Sequence, residues 1–338
     1  HLQPREQKLD RLARALLLRM GFMSILAATG CAGLPTRTNS GIAAERRAVA
    51  FLSREVPAWS RENGCFSCHN NGDAARALYT AKQNGFPVPA AALADTTAWV
   101  SQPARWDHNR GDPSFSDKRL ANLQFAASLV AAMETGHGND RIALRVAADR
   151  VAADQGEDGA WRIEAQDALG SPATYGTTLA TFNAWQVLTQ SDSGAARNAA
   201  ARAVDWLRRA PMNNVPAAAT MLRFAWRDGS SLSVQRRVDA LAFLRRAQTS
   251  DGGWGPYPNV PAEAFDTALV LLALAELPTD AEVSAVIQRG RAFLIAQQQA
   301  QPPLPRSRHA KSSRIGACRF FAPFPTQTNE SIAARALA

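Results

Sequence analysis

The stretch AQTSDGGWGPYPNVPAEAFDTALVLLALAEL, residues 247–277, decides the fold. It contains the end of one segment, a glycine-rich turn at Gly252 and Gly253, and a second segment from Asp266 that is apolar nearly all round. A helix without a polar face has to be buried on every side, and two adjacent glycines allow a tight exit from the preceding helix. The stretch therefore predicts a turn that leads from a partly exposed helix into a fully buried one.

The segment before this turn has the pattern of an amphipathic helix. In SVQRRVDALAFLRRA, residues 233–247, the apolar residues Val234, Val238, Leu241 and Leu244 are spaced by three or four positions, with arginines opposite. This is the spacing of one face of an α-helix. We therefore expect these four side chains to form the buried face of a half-exposed helix.

The same helix end recurs along the chain. The triplet AFL stands at 50–52, 242–244 and 292–294, and a related DWL stands at 205–207. Comparable points are separated by about 35 to 50 residues, which is typical of a helical repeat array. Each repeat is predicted to contain one half-exposed and one fully buried helix.

Two more segments are apolar all round, ANLQFAASLVAAM from Ala121 and TTLATFNAWQVL from Thr177. Strand signals are weak, because β-branched and aromatic residues never alternate over a useful length. The sequence therefore predicts an all-α protein of five helix pairs and half of a sixth. The helices are predicted to begin near residues 44, 72, 93, 117, 141, 174, 196, 216, 233, 265 and 282.

The turns also carry a family resemblance. The Gln-x-x-x-Gly-x-Trp pattern at 248–254, followed by its buried helix, resembles the repeats of squalene-hopene cyclases and of the prenyltransferase β-subunit superfamily. DQGEDGAW at 154–161 is a second, looser copy. The resemblance implies an (α/α)6 toroid of alternating outer and inner helices over residues 41–300. The repeat register breaks after residue 300, so the last repeat is expected to be incomplete and 301–338 to be an irregular basic segment.

The chemistry of the resembling families is not supported by matching motifs. The sequence contains neither the Asp-x-Asp-Asp acid of the cyclases nor an Asp-Asp-x-x-Asp diphosphate motif, and no cysteine-bearing buried helix fits the transferase zinc site. Two carboxylates are candidate catalytic residues. Asp266 heads a buried helix, where a helix N-cap is the alternative interpretation. Asp107 lies in WDHNRGDPSFSD, which either lines the mouth of the toroid or forms a solvated, salt-bridged loop.

A Cys-x-x-Cys-His box replaces the expected repeat turn in the first unit, in ENGCFSCHNNG at 62–72. Thiols three positions apart lie on one side of a helical turn, so Cys65 and Cys68 can bond the two vinyl groups on one porphyrin edge, and His69 can then ligate the iron. The box predicts a covalently attached haem c. The alternatives are zinc, which needs a fourth ligand, and a redox disulfide between the two cysteines.

Three residues are candidates for the sixth iron ligand: Met133, His108 and His137. Met133 also fits a core position, and the two histidines also fit exposed loops. If none of them binds, the iron is five-coordinate and open to a small ligand.

The N-terminal sequence has the layout of an export signal. RLARALLLRMGFMSILAATGCAGLP, residues 11–35, contains basic residues, an apolar run and then small residues. ATGC, ending at Cys31, resembles a bacterial lipoprotein cleavage box, so a lipid anchor there is the membrane association we expect. A buried N-terminal helix is the alternative. Residues 1–40 are thus predicted to be a signal peptide or lipoprotein signal with a linker, and the protein to be periplasmic or exported, where bacteria attach haem to thiols.

The net charge of +9 does not indicate nucleic-acid binding. Residues 1–19 carry five Lys or Arg against two Asp or Glu, and residues 301–338 carry six against one. The remainder is nearly neutral, whereas a nucleic-acid surface needs a basic patch on the folded body.

Together these features predict an exported toroid with one c-type haem. Its role is electron transfer or redox chemistry on an apolar substrate, with a periplasmic redox partner. Two alternatives are open: an isoprenoid enzyme related to terpene cyclases, with a structural metal at the box, and a non-catalytic module that binds lipid in an apolar cavity.

Overall fold

The computed structural model describes residues 39–110, 117–163, 176–278 and 280–300. The predictions made for the N-terminal signal, for Cys31 and for 301–338 therefore lie outside the described residues. The helices, in chain order, are α1 Asn39–Asn63, α2 Ala75–Gln83, α3 Ala94–Val100, α4 Lys118–Glu134, α5 Arg141–Ala153, α6 Gly176–Leu188, α7 Gly194–Arg209, α8 Val215–Asp228, α9 Ser231–Ala247, α10 Ala264–Leu274 and α11 Ala281–Ala300.

Short helical segments complete this arrangement. A π-helical segment, Cys68–Ala74, runs directly into α2, and 3₁₀ turns form at Ala90–Ala92 and Pro103–His108. Within the described residues the only β pairing is an isolated bridge between Trp254 and Glu263. The predicted all-α fold is confirmed. No helix in this part of the chain combines the length and apolar character needed to cross a bilayer.

Fully buried helices alternate with half-exposed ones. Every residue from Val215 to Ala225 in α8 is buried, and so is every residue from Phe265 to Leu271 in α10. The half-exposed helices instead bury one side made largely of alanine, leucine and valine, as α5 and α7 do. The buried helices are the segments that are apolar all round, as the sequence predicts.

The buried helices pack on one another in chain order: α2 on α4, α4 on α6, α6 on α8, and α8 on α10. The last described helix, α11, packs on α10 and also on α1. At that contact a guanidinium nitrogen of Arg291 lies 3.1 Å from a carboxylate oxygen of Glu45, and Arg47 donates to Gln298 at 2.8 Å. Contact between the first and last of the described helices is what a ring requires, while the complete (α/α)6 toroid stays a prediction.

The two repeat turns make equivalent hydrogen bonds. The side-chain amide of Gln248 donates to the carbonyls of Gly252 and Val286, at 2.8 and 3.2 Å. The amide of Gln155 donates to the carbonyls of Gly159 and Ala199, both at 2.9 Å. Each glutamine thus closes its own turn and fastens it to the next half-exposed helix, α11 or α7.

The tryptophans of these turns are buried and tie the turn to the helices on both sides. The indole Nε1 of Trp254 donates to the Leu244 carbonyl at 2.7 Å, and that of Trp161 donates to the Val151 carbonyl at 2.8 Å. The backbone N–H groups of these tryptophans donate to threonine hydroxyls on the following buried helices. Trp254 and Trp161 therefore make equivalent contacts in the two turns.

The predicted buried face of α9 is wrong in part. Val234 and Val238 are 49% and 57% exposed, whereas Leu244 is buried. The face turned inward carries Ser233, Ala240, Leu244 and Ala247. The Ser233 hydroxyl donates to the carboxylate of Asp228 at the end of α8, at 2.5 Å, and the small Ala240 permits close approach. The hydrogen bond from Ser233 and the small side chain of Ala240 therefore set the rotation of α9. As a result, Val234 and Val238 on its more apolar face stay exposed.

Candidate functional site

The Cys box lies in the link between α1 and the π-helical segment. Ser67 caps that segment, because its hydroxyl accepts hydrogen bonds from the backbone N–H groups of His69 and Asn70, at 3.1 and 3.3 Å. Cys65 thus precedes the helical segment, while Cys68 and His69 form its start. Single π-helical turns inside α-helices occur frequently at functional sites.

The three box side chains differ in exposure. Cys65 is 5% exposed and His69 is 4% exposed, whereas Cys68 is half-buried. The Cys68 sulfur lies 3.6 Å from Nε2 of His69. The structure therefore brings Cys68 and His69 into direct contact on one helical turn.

Asn71 holds the box in place from within the protein, and it is fully buried. Its side-chain amide donates to the Thr96 hydroxyl at 2.8 Å and to the Val56 carbonyl at 3.3 Å, while its side-chain oxygen accepts from the Ser67 N–H at 2.9 Å. Its backbone carbonyl accepts from the Ser128 hydroxyl at 3.1 Å. The box is thereby joined to α1, α3 and α4. Sequence reasoning missed Asn71, although two asparagines directly after a Cys-x-x-Cys-His box are an unusual polar run for a buried segment.

A second asparagine holds the loop between the two cysteines. The side chain of Asn109 accepts from the Phe66 N–H at 2.9 Å and donates to the Phe66 carbonyl at 2.7 Å. The Phe66 ring stacks on Trp99 with ring centroids 4.5 Å apart, and Trp99 meets Phe125 edge to face at 5.9 Å. One side of the box is therefore an apolar aromatic wall.

Burial lowers the pKa of His69 to about 4. The imidazole is therefore neutral at pH 7 and retains one nitrogen lone pair, which is the state that ligates metals. The tautomer decides whether Nε2, next to the Cys68 sulfur, carries the proton or the lone pair.

The three candidates for the sixth ligand lie in different environments. His108 is exposed at the end of a 3₁₀ turn, and Met133 packs against the main apolar core from α4. His137 lies with Nδ1 3.1 Å from the Thr135 hydroxyl and its ring 5.2 Å from that of Tyr79. Within the described residues, no hydrogen bond or ring contact joins any of the three candidates to the box.

The described residues also contain no group of three or more His, Cys, Asp or Glu side chains that could hold a metal ion. Cys65, Cys68 and His69 therefore do not form such a group in this structure, and within the described residues no fourth ligand joins them. The zinc alternative stays a prediction without a complete ligand set.

Asp107 forms a surface ion pair. Its carboxylate lies 2.7 Å from a guanidinium nitrogen of Arg150, and its side chain is 53% exposed. The hydrogen bond from Arg150 holds the pKa of Asp107 below its usual range. These contacts match the salt-bridged interpretation of this residue, while 111–116, in the same loop, lies outside the described residues.

Asp266 is the most unusual carboxylate in the described part of the chain. It is fully buried near the start of α10, and neither side-chain oxygen has a hydrogen-bond partner. The N-cap of α10 is Glu263, so the capping interpretation of Asp266 is wrong. Burial, and then the nearby Glu263 carboxylate, raise the pKa of Asp266 well above its usual range. Burial without a partner favours the neutral acid form.

No protein-family model matches the chain, and no curated protein matches it. The assignment of a function therefore depends on the residues and geometry of these sites.

Proposed function

We propose that this chain is an exported redox protein that carries one haem c bound covalently through Cys65 and Cys68, with His69 as the iron ligand. The observation that carries the proposal is the contact of Cys68 with His69 at 3.6 Å on one helical turn. The Cys-x-x-Cys-His spacing supplies the second thiol, Cys65, which precedes this helical segment. The squalene-cyclase-like toroid serves as the scaffold in this proposal.

The residues around the box fit this group. The imidazole of His69 is neutral at pH 7, and the Phe66, Trp99 and Phe125 rings provide an apolar wall next to the thiols. Ser67 and Asn71 fix the backbone from which Cys68 and His69 project. When bound, haem c supplies a one-electron iron couple whose potential depends on its axial ligands and burial.

The formation of thioether bonds between the two cysteines and the haem vinyl groups needs no oxidant. Each thiol adds across one vinyl group: a sulfur–carbon bond forms, the vinyl π bond is lost, and the thiol proton moves to the other vinyl carbon. Cys65 and Cys68 would hold the group through two thioethers, and a ring nitrogen of His69 would ligate the iron. The Phe66, Trp99 and Phe125 rings would provide an apolar surface beside the box.

The direct test is a pyridine haemochrome spectrum of protein exported to the periplasm of a host with haem-attachment machinery. We expect a c-type α band from the parent protein and its loss in the Cys65→Ala, Cys68→Ala double variant. The matched control is Cys318→Ala, which removes a thiol outside the box and should keep the band. A parent protein without Soret absorption under these conditions refutes the proposal.

Electron transfer with a periplasmic partner, and the candidate ligands Met133, His108 and His137, belong to the same proposal. Replacing the true sixth ligand with alanine shifts the ferric Soret band, while the other two replacements leave it in place. The exported location and the lipid anchor at Cys31 also stay predictions.

A second candidate function is supported by a specific observation at Asp266. A buried carboxylic acid without a hydrogen-bond partner, near Glu263, is suited to donate a proton to the double bond of an isoprenoid substrate. In that step the proton would move from the Asp266 oxygen to one alkene carbon, the π electrons would form the new C–H bond, the other alkene carbon would become a carbocation, and the acid would be left as a carboxylate. Turnover of squalene by the parent protein, abolished in Asp266→Asn and retained in the Cys65→Ala, Cys68→Ala variant, favours this candidate over the haem proposal.

A further inference from the structure

A cavity of about 100 Å³ lies among the start of α2, the second half of α4, the end of α6 and the end of α8. One wall is apolar and is formed by Ala127, Val130 and Ala131 of α4. The lining also includes three charged residues, Arg76, Arg227 and Glu134. No residue of the Cys box lines this cavity, so it is separate from the proposed haem site.

A third arginine lies next to the cavity. Arg223 is 6% exposed, and its guanidinium carbon lies 5.1 Å from the centre of the Phe182 ring, while that of Arg227 lies 5.9 Å from the same ring. Burial lowers the pKa of Arg223; the carboxylate of Glu276 opposes this effect, and the charges of Arg227 and Arg76 add to it. Three cations are thus held close together in a partly buried region.

Two carboxylates pair with these cations. Glu276 accepts from Nε of Arg223 at 2.8 Å and from Nε of Arg227 at 3.1 Å. Asp73 accepts from one Nη of Arg76 at 3.2 Å and is also bonded by Gln124 at 2.7 Å.

Glu134 also lines the cavity and is a third carboxylate, so three guanidiniums face three carboxylates and the formal charges balance. Arg227 and Glu134 are both exposed.

Unused donors remain on the two arginines that line the cavity. Within the described residues, Nε and the second Nη of Arg76 make no hydrogen bond, and neither does the remaining Nη of Arg227. The side chain of Asn183, which is 5% exposed, also lines the cavity, as does the Trp185 ring. Planar guanidinium donors match the oxygens of carboxylates and phosphates better than they match any neutral group.

We propose that this cavity binds the oxyanion head group of a small organic acid, either a carboxylate or a phosphate monoester. The oxyanion lies between Arg76 and Arg227 and accepts hydrogen bonds from the donors of these two guanidinium groups that make none within the described residues. The apolar part of the ligand lies against Val130 and the neighbouring alanines. A volume of about 100 Å³ equals the liquid volume of about three waters, so the cavity fits a head group, with the remainder of the ligand directed to the mouth.

The test is thermal unfolding of the full chain with sodium phosphate, sodium benzoate or sodium chloride at equal ionic strength. We expect phosphate or benzoate, but not chloride, to raise Tm by about 2–4 °C at millimolar concentration. A response to benzoate alone identifies a carboxylate ligand, and a response to phosphate alone identifies a phosphate ester. No rise with either anion overturns the proposal.

Variants place the effect at this cavity. Arg227→Gln and Arg76→Gln are expected to abolish the rise, and Arg227→Lys to weaken anion binding about tenfold, because the charge stays but the planar fork is lost. The matched control is Arg162→Gln, which removes another exposed arginine paired with an aspartate, at 2.6 Å from Asp158. A rise that persists in both cavity variants overturns the proposal, and circular dichroism confirms that each variant is folded.

Discussion

Gly252 lies so close to the backbone of Arg289 that a β-carbon added to the glycine would be 2.7 Å from the Arg289 carbonyl oxygen. Gly159 has the same relationship to Arg202, at 2.6 Å. Both glycines have positive φ, +91° and +96°, in a region that L side chains rarely adopt. Each repeat turn therefore depends on its glycine for conformation and for space, which makes the pair a direct test of the repeat architecture.

Gly252→Ala and Gly159→Ala are each expected to lower the free energy of unfolding by about 2–4 kcal/mol, since backbone strain and steric overlap add. Gly85→Ala is the control, because Gly85 has φ of +82° but no atom within 4 Å of an added β-carbon. Its expected cost is about 1 kcal/mol from strain alone. Urea unfolding followed by circular dichroism measures all three. Equal costs at the three sites would show that the close approach to Arg202 and Arg289 does not matter.

Asn71→Ala is expected to lower the free energy of unfolding by about 2–4 kcal/mol. The change removes three side-chain hydrogen bonds and leaves the Ser67 N–H without the oxygen that accepts from it. Asn63→Ala is the matched control, because Asn63 makes one hydrogen bond to the Trp59 carbonyl within its own helix, and its cost is expected to stay below about 1 kcal/mol. If the two variants unfold at the same urea concentration, the network around the Cys box is not a stabilising one.

Asp266→Asn is expected to stabilise the protein at neutral pH. The pKa of Asp266 is raised in the folded protein. Below the ordinary pKa of about 3.9, Asp266 is therefore protonated in the folded and in the unfolded protein, and between this pH and the folded pKa only the unfolded protein loses the proton. Stability therefore falls as pH rises towards the folded pKa, by about 1.4 kcal/mol for each unit of the shift. An asparagine has no such loss, so the stability advantage of the variant over the parent protein should grow as pH rises from 5 to 8.

Urea unfolding of the parent protein and the Asp266→Asn variant at both pH values measures this advantage. Asp205→Asn serves as the control, because that side chain is 65% exposed and its nearest cation, on Arg208, is 3.9 Å away. It should change stability by less than about 0.5 kcal/mol at either pH. A variant that loses stability between pH 5 and pH 8 as steeply as the parent protein would show that Asp266 is ionised in the folded state.

The fold could be predicted because its signals are local. A helical segment without a polar face, such as the one from Asp266, has to be buried on all sides. The glycine turns indicate where the helix that follows them begins. The predicted beginnings near 141, 233 and 265 accordingly lie within two residues of α5, α9 and α10. The rotation of a half-exposed helix is not a local property, because it depends on which neighbour offers a close contact.

The candidate ligands can be identified in the sequence, whereas the contacts that support them cannot. Cys65, Cys68 and His69 stand together in the sequence, so their spacing alone indicates a ligand set. Asn71, Thr96 and Ser128 come together only through packing of three different helices. The same holds for Arg76 and Arg227, which are far apart in the chain and meet at one cavity. Charged residues on predicted helices are ordinarily assigned to solvent, so no sequence pattern distinguished this pair.

The rotation of α9 can be tested by comparing its two faces. Val234→Ser and Val238→Ser replace side chains that are 49% and 57% exposed, and each is expected to change the free energy of unfolding by less than about 0.5 kcal/mol. Leu244→Ala, on the buried face, is expected to cost about 2–4 kcal/mol because it leaves a cavity beneath the repeat turn. Chemical denaturation of the three variants gives these values. If either valine variant costs as much as Leu244→Ala, the helix is rotated to bury the valine face, and the hydrogen bond from Ser233 to Asp228 does not set its orientation.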